Sequence, residues 1–155
     1  MGTFIIEVMN KKKEEDIFGK EIEKNIKELG IFSVKEVNVS DLYKFSGKLN
    51  EIDIKEIAEN VIIDRISQKY KIYKNREKKK GYIAIEVWYK KGVTDTVAET
   101  TKYAVSDYGI KKEFEVATGK KYYLKGEFSE KEIKDICERI LSNPLIQDYF
   151  IIKNE

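Results

Sequence analysis

The chain has 155 residues, 41% of them hydrophobic and 12% aromatic, which is enough to bury a core and too many for a disordered segment. The 30 basic and 28 acidic side chains leave a net charge of +2, so no general attraction to nucleic acid or to an anionic membrane is expected. Histidine is absent, which excludes Ser-His-Asp triads, Cys-His pairs and zinc sites that contain histidine.

Two further absences bear on the cofactors and on the compartment that the sequence predicts. The sequence contains neither a P-loop nor a G-x-G-x-x-G motif, and we expect no cofactor and no metal. No apolar run reaches the roughly 18 residues that a membrane helix needs, and one cysteine suits a reducing compartment. These features predict a cytoplasmic protein that does not contact a membrane.

The first part of the chain predicts the order βαββαβ. FIIEVMN is a β-branched strand, and a helix follows in which apolar residues recur about every four positions until Gly30 ends it. VKEVNV and LYKFSG predict a hairpin of two short strands joined by Ser40 and Asp41. A second amphipathic helix and the strand SQKYKIY complete a ferredoxin-like unit.

The same elements recur in the second part of the chain. Residues 4–74 align with residues 83–153 without a gap, with about 20 identities. YIAIEVWY is again a strand, Gly109 ends the helix, and KEFEVA and KYYLKG predict a hairpin around Thr118, Gly119 and Lys120. The fold class is therefore α+β, with two tandem βαββαβ units forming a pseudo-dimer.

The alignment also sets the predicted domain boundaries. We expect a first repeat at 1–74, a linker at 75–81 and a second repeat at 82–155. The linker sequence NREKKKG is charged, almost free of apolar side chains and closed by glycine, so the run of lysines in it is expected to be solvated.

A matched pair of aspartates precedes the first helix of each repeat. Asp16 and Asp95 are placed where a carboxylate accepts hydrogen bonds from the free N–H groups of the first helical turn. Catalysis would require a partner acid, a cation or a metal, and neither repeat clusters such groups. We therefore interpret both aspartates as helix caps, and Gly30 and Gly109 as the matching helix ends.

The second repeat carries the residues of a family resemblance. KKGVTDTVAET, together with YYLKGEFSEKEIKDICERILSNPLIQDYFI, resembles the PurS family, the small subunit of phosphoribosylformylglycinamidine (FGAM) synthase, and in particular the tandem PurS-like segment of some large-subunit synthetases. The first repeat keeps fewer of the family positions and lacks the loop Gly-Val, the Gly-Lys and the Asn-Pro, and neither repeat has the proline after aspartate. The matching positions are Lys91, Gly92, Val93, Asp95, Val116, Gly119, Lys120, Asn143, Pro144, Ile146 and Tyr149, with Asp16, Gly19, Val37 and Tyr70 in the first repeat.

The resemblance implies a function in purine biosynthesis. A PurS-like chain is expected to be non-catalytic, to bridge the ATP-dependent synthetase subunit and the glutaminase subunit, and to support ammonia transfer. Two fused copies would form the PurS dimer within one chain. Whether two such chains associate further, and whether the chain is a complete subunit or the N-terminal part of a synthetase, stays open.

Six residues are candidates for an interface. Trp88 and Tyr89 end the first strand of the second repeat, where Trp88 is either an exposed anchor or buried between the halves. Glu7 and Glu86 lie among apolar neighbours, and an exposed glutamate is favoured over an ion pair or hydrogen bond between the halves. The matched tyrosines Tyr43 and Tyr122 complete the set. Cys137 is interpreted as a small core residue rather than a reactive thiol.

Three other functions are alternatives to the bridging role. KKGYIAIEVWY resembles an RNA-binding RNP1 motif, but it falls on the first strand rather than the third, and no basic field supports it. An ACT-like module that binds a small effector between two βαββαβ units remains the main alternative, with Gly92 as its only loop glycine. A stand-alone enzyme would need a lysine or tyrosine in a pocket that the sequence does not reveal.

Overall fold

A computed structural model describes residues 2–153 and confirms the α+β fold class. The first repeat contains the elements β1 (Gly2–Asn10), α1 (Ile17–Glu28), β2 (Val34–Gly47), α2 (Glu51–Ile57) and β3 (Gln68–Tyr73). The second repeat contains β4 (Ile83–Tyr89), α3 (Thr96–Tyr108), β5 (Phe114–Gly126), α4 (Glu130–Ile136) and β6 (Gln147–Ile152). No helix within residues 2–153 is long and apolar enough to span a membrane.

Both second helices begin with a reciprocal cap and end in a wider turn. The Asn50 side chain accepts from the Asp53 backbone N–H, and Asp53 accepts from that of Asn50. Ser129 and Glu132 form the same capping box at α4. Each helix continues into one π-helical turn, Ala58–Ile62 after α2 and Cys137–Leu141 after α4.

The predicted hairpins are the main error of the sequence analysis. β2 and β5 are each one continuous strand, of 14 and 13 residues, that runs straight through the expected turns. Turn propensity at Ser40–Asp41 and at Thr118–Lys120 is weak local information, and it is overridden because the two strands pair with each other along their whole length. The two short strands predicted for each repeat are therefore the two halves of one long strand.

All six strands form one sheet in the order β3-β1-β2-β5-β4-β6, and every pairing is antiparallel. The second half of β2 pairs with β1, from Asp41 to Gly47. The first half of β5 then lies beside that segment, in the place that a ferredoxin-like unit would fill with the other arm of its own hairpin. Each spatial unit is thus completed by half a strand from the other repeat.

The helices all pack on one face of the sheet, in two apolar cores. One core combines Ile22 and Ile26 of α1 with Ile85 of β4 and Ile133 and Ile136 of α4. The other combines Phe4 and Ile6 of β1 and Ile54 and Ile57 of α2 with Val105 of α3. Because each core contains side chains from both repeats, neither repeat buries its apolar face alone.

The opposite face of the sheet is covered by the connection between β3 and β4. A small apolar cluster of Ile5, Leu42, Tyr73 and Trp88 lies on this face. Residues 74–82 cross it, since Arg76 contacts Glu86 of β4 and the carbonyl oxygen of Glu77 accepts a hydrogen bond from Lys121 of β5. The segment predicted to be a solvated linker therefore also buries part of the sheet.

Candidate functional site

Asp16 and Asp95 connect the first helix of each repeat to the long strand. Asp16 accepts from the Gly19 N–H at 2.8 Å with one carboxylate oxygen and from the Val39 N–H at 2.9 Å with the other. Asp95 accepts from the Ala98 N–H at 3.0 Å and from the Thr118 N–H at 2.8 Å. Each carboxylate caps its helix and holds it against the middle of the long strand.

The helix ends are shaped by glycine. Gly30 follows the last residues of α1 with a φ of 91°, and Gly109 is the C-cap of α3 with a φ of 123°. A side chain in this left-handed region is strained, so both positions favour glycine. They set the path from helix to long strand and lie on the surface rather than in a pocket.

The two candidate glutamates lie on the linker-covered face, inside a buried cluster that we call the central polar cluster. Its members are Glu7, Tyr73, Glu86, Trp88, Lys121 and Tyr123, all of which are buried. The Lys121 ammonium lies 3.8 Å from a carboxylate oxygen of Glu7 and 3.8 Å from one of Glu86. One cation of the second repeat thus faces a carboxylate from each repeat.

Hydrogen bonds complete the central polar cluster. Tyr73 and Tyr123 donate to the two oxygens of Glu7 at 2.9 and 2.6 Å. The Trp88 indole N–H donates to Glu86 at 2.9 Å, and Arg76 of the linker donates to the same oxygen at 3.1 Å. Within residues 2–153, the second oxygen of Glu86 has no hydrogen-bond partner and faces only the Lys121 charge.

The electrostatics of the cluster follow from its burial. Burial lowers the pKa of Lys121, an effect that the nearby Glu7 and Glu86 oppose. Burial, followed by the charge of Glu7, raises the pKa of both Tyr73 and Tyr123, which keeps the two phenols neutral donors. The arrangement connects the two repeats through the Glu7–Lys121 contact and the hydrogen bond from Tyr123 to Glu7.

These contacts decide two of the alternatives left by the sequence. The favoured expectation of exposed glutamates was wrong, since Glu7 and Glu86 are 1% and 0% exposed. Glu7 accepts a hydrogen bond from Tyr123 of the other half, whereas Glu86 bonds to Trp88 of its own strand and to Arg76 of the linker. Trp88 is buried rather than an exposed anchor. Sequence reasoning missed Lys121, although its repeat partner is Leu42, and a lysine aligned with a core leucine is the signal that could have revealed it.

The other candidate residues lie apart from the central polar cluster. Tyr122 is buried in the core that contains α1 and α4. Burial, followed by the charge of Asp41, raises the pKa of its phenol to about 12. Tyr43 is half-buried against the core that contains α2 and α3, and Tyr89 is exposed at the end of β4. Cys137 is confirmed as a core residue, and its burial raises the thiol pKa to about 12, so it stays protonated.

The pseudo-twofold axis passes through the centre of the β2–β5 pair. Asp41 and Lys120 occupy the same position in the two repeats and are directly opposite each other, with a 2.6 Å contact between carboxylate and ammonium. In a dimer of identical chains this position would oppose a residue to itself. Opposite charges can meet here only because the two halves differ.

Two exposed apolar side chains at matching positions were not singled out from the sequence. Ile66 and Leu145 are 89% and 85% exposed, at the tips of the turns before β3 and β6. Each turn is fixed by its own polar residues, since Asp64 accepts from the Ile66 N–H and Asn143 from the Leu145 N–H. An apolar residue at the same position of a polar turn in both repeats was the sequence signal that could have revealed this pair.

The fold and its buried cluster define the class of protein. It is a pseudo-dimeric α+β protein in which half of each long strand completes the sheet beside the other repeat, and in which the two repeats share their cores. Residues 2–153 hold no group of three or more His, Cys, Asp or Glu side chains placed to bind a metal ion.

Comparison with known proteins identifies the family. The sequence model of the family described as PurS, phosphoribosylformylglycinamidine (FGAM) synthase, matches residues 82–155. The phosphoribosylformylglycinamidine synthase subunit PurS of Archaeoglobus fulgidus is 37% identical over 71 residues, an alignment that covers 43% of this chain and 89% of that protein. The chain belongs to the PurS family, which confirms the resemblance found in the sequence.

Proposed function

We propose that this chain is a non-catalytic component of FGAM synthase in purine biosynthesis, acting in the cytoplasm. In this role it bridges the ATP-dependent synthetase subunit and the glutaminase subunit and supports the transfer of ammonia between them. The observation that carries the proposal is the 37% identity with a relative whose name describes it as a subunit of that enzyme.

We also propose that the chain supplies a complete PurS-like dimer by itself. Residues 1–74 and 82–155 are then the two subunit equivalents and residues 75–81 the connection. The shared cores and the Asp41–Lys120 pair support this proposal, because they give each half a partner within the chain. Fusion raises the effective concentration of the halves and allows their outer surfaces to diverge.

The exposed pair Ile66 and Leu145 is the proposed contact with the partner subunits. Both side chains are presented by turns that are already fixed, so little conformational entropy is lost when a partner covers them. They are related by the pseudo-twofold axis, which suits a bridging component that meets two proteins or two sites.

Reconstitution tests the role. The chain is mixed with the large subunit and the glutaminase subunit of its own organism, and FGAM formation is measured with glutamine or with ammonium as nitrogen donor. We expect glutamine-dependent synthesis to require the chain and ammonium-dependent synthesis to require it much less, since free ammonium needs no transfer between subunits. Full glutamine-dependent activity without the chain would contradict the proposal.

A variant pair locates the contact. Ile66→Asp combined with Leu145→Asp should remove the chain from the complex in size-exclusion chromatography and reduce glutamine-dependent synthesis. Ile52→Asp is the matched control, because Ile52 is similarly exposed at 74% but lies on α2 rather than in a turn. If the double variant and the Ile52→Asp control behave equally, the turns are excluded as the contact. A different result would favour the ACT-like alternative: an amino acid stabilises the free chain, and no complex with the other subunits forms.

A further inference from the structure

A pocket of about 180 Å³ opens at the edge of the first repeat, next to the central polar cluster. We call it the lysine pocket. The loop after β1, the middle of β2, the strand β3 and the linker contribute its walls, and Met9, Val39 and Tyr123 supply apolar surface. Its lysines are Lys11, Lys12, Lys13, Lys69 and Lys79.

The positive charge of the lysine pocket is not balanced from within. Asp16 is the one carboxylate among its lining residues, and both of its oxygens already accept backbone N–H groups. Lys13 pairs with Glu36 at 3.2 Å, and Lys11 donates to the Arg65 carbonyl oxygen, which carries no full charge. Even with Lys79 left out of the count, Lys11, Lys12 and Lys69 outnumber the one lining carboxylate, so the pocket keeps an excess of positive charge.

Burial and neighbouring lysines disfavour the charged form of Lys79. Desolvation by the surrounding protein, followed by repulsion from Lys13 and then Lys71, lowers the pKa of Lys79, against an opposing effect of Glu36 and Glu7. Lysine, a compact point charge with several donors, is a common ligand of phosphate.

Among the described residues, the matching position of the second repeat has a different lining. Trp88 replaces Met9 there, and its indole fills the space next to Gly119, the counterpart of Ser40, since a Cβ on Gly119 would lie 2.9 Å from the ring. Asp148 replaces Lys69, and the groove beside Gly119 contains one lysine, Lys120, which pairs with Asp41. The excess charge is thus specific to one repeat rather than a property of the fold.

We propose that the lysine pocket binds the phosphate group of a small phosphomonoester metabolite. The volume lies below the roughly 300–1,000 Å³ of sites for drug-sized ligands, so it suits a phosphate with a short sugar or polyol attached. Ammonium groups would hold the phosphate, and Asn10, Asn38 and Ser40 offer hydrogen bonds to hydroxyl groups. This inference does not depend on the role in FGAM synthase.

Isothermal titration calorimetry of the whole chain tests the proposal. Glycerol 3-phosphate and ribose 5-phosphate are the probes, inorganic phosphate reports the contribution of the anion alone, and glycerol and ribose are the uncharged matches. Both phosphomonoesters should bind saturably at one site and more tightly than inorganic phosphate, binding should weaken as salt is added, and the uncharged compounds should give no heat of binding.

A matched pair of variants separates the pocket from general surface charge. Lys12→Ala combined with Lys69→Ala removes two exposed pocket charges and should weaken binding about tenfold or more. Lys90→Ala combined with Lys91→Ala removes two charges from the corresponding loop of the second repeat and should leave binding unchanged. Absence of saturable binding, equal binding of inorganic phosphate, or equal losses in both variants would each overturn the proposal.

Discussion

Lys121 is fully buried between two buried carboxylates, so its charge is stabilised by the central polar cluster and by the Glu77 carbonyl oxygen rather than by water. Such a cluster need not add net stability, because removing three charged groups from water costs about as much as their attraction returns. Removal of Lys121 alone has a different effect, because Glu7 would then remain buried without a cation and Glu86 would keep only Arg76.

We predict that Lys121→Met lowers the free energy of unfolding by about 3–5 kcal/mol. The measurement is urea denaturation followed by the fluorescence of Trp88, the single tryptophan. Lys125→Met, an exposed lysine on the same strand, is the control and should change stability by less than about 0.5 kcal/mol. Adding Glu7→Gln and Glu86→Gln to Lys121→Met should recover part of the loss, and no recovery would argue against charge as its cause.

Glu36 gives a prediction about pH. Tyr82, which donates at 2.6 Å, and then Asn38 and Lys13 lower the pKa of this carboxyl from 4.5 to about 2. Because the folded pKa lies below the unfolded one, the carboxylate stabilises the fold above pH 4.5, and this contribution is lost as the pH falls from 4.5 towards 2. The stability difference between the wild type and Glu36→Gln should therefore shrink over that interval.

Denaturation at a series of pH values measures this difference. Glu115 is the repeat counterpart of Glu36 and is 84% exposed, with Lys102 as its partner, so Glu115→Gln is the matched control and should show a smaller change. A constant difference for Glu36→Gln between pH 5 and pH 2 would show that its hydrogen bonds do not act through charge.

At the scale of elements, each first helix is attached to a long strand by one aspartate. Asp16 and Asp95 each accept one N–H from the helix start and one from the strand, at the same relative position in both repeats. The strand contacts are made at Val39 and Thr118, close to the point where the two long strands cross from one core to the other. The aspartate therefore fixes where the helix lies along a strand that serves both cores.

We predict that Asp95→Ala lowers the free energy of unfolding by about 2–3 kcal/mol, since it removes a helix cap and leaves a backbone N–H of β5 without its acceptor. Asp16→Ala should cost a similar amount for the same reason. The control is Asp107→Ala, an exposed aspartate in the last turn of α3, where a negative charge is unfavourable and its removal should be neutral. Thermal and urea denaturation give the values, and a loss below about 0.5 kcal/mol would reject the anchoring role.

At the scale of the whole molecule, the unit that folds cooperatively differs from the unit that is repeated in the sequence. Each core needs α1 or α3 from one repeat and a first strand and second helix from the other. A repeat folded alone would expose the apolar surface that the other repeat covers, at a cost of roughly 25 cal/mol for every Å².

We therefore predict one cooperative unfolding transition for the intact chain, with equal calorimetric and van't Hoff enthalpies. After cleavage at a protease site inserted between Lys78 and Lys80, the two fragments should elute together in size-exclusion chromatography. Their melting temperature should then depend on concentration, because the association is no longer intramolecular. Two separate transitions in the intact chain would mean that each repeat folds independently.

Much of this protein was determined by local sequence. Hydrophobic periodicity placed the helices, β-branched runs placed the outer strands, and the gapless alignment of residues 4–74 with 83–153 established the duplication. These features depend on residues that are neighbours along the chain. They were therefore accessible without knowledge of the partners that each side chain meets.

The tertiary structure alone decided which surfaces meet. Whether Ser40 and Asp41 turn back or continue depends on the free energy of pairing β2 with β5, a contact between residues nearly 80 positions apart, and local propensity carries no information about it. The burial of Lys121, the shared cores and the lysine pocket follow from that one pairing, since it brings the two repeats together. The sequence thus specified two similar units, and long-range strand pairing made them one molecule.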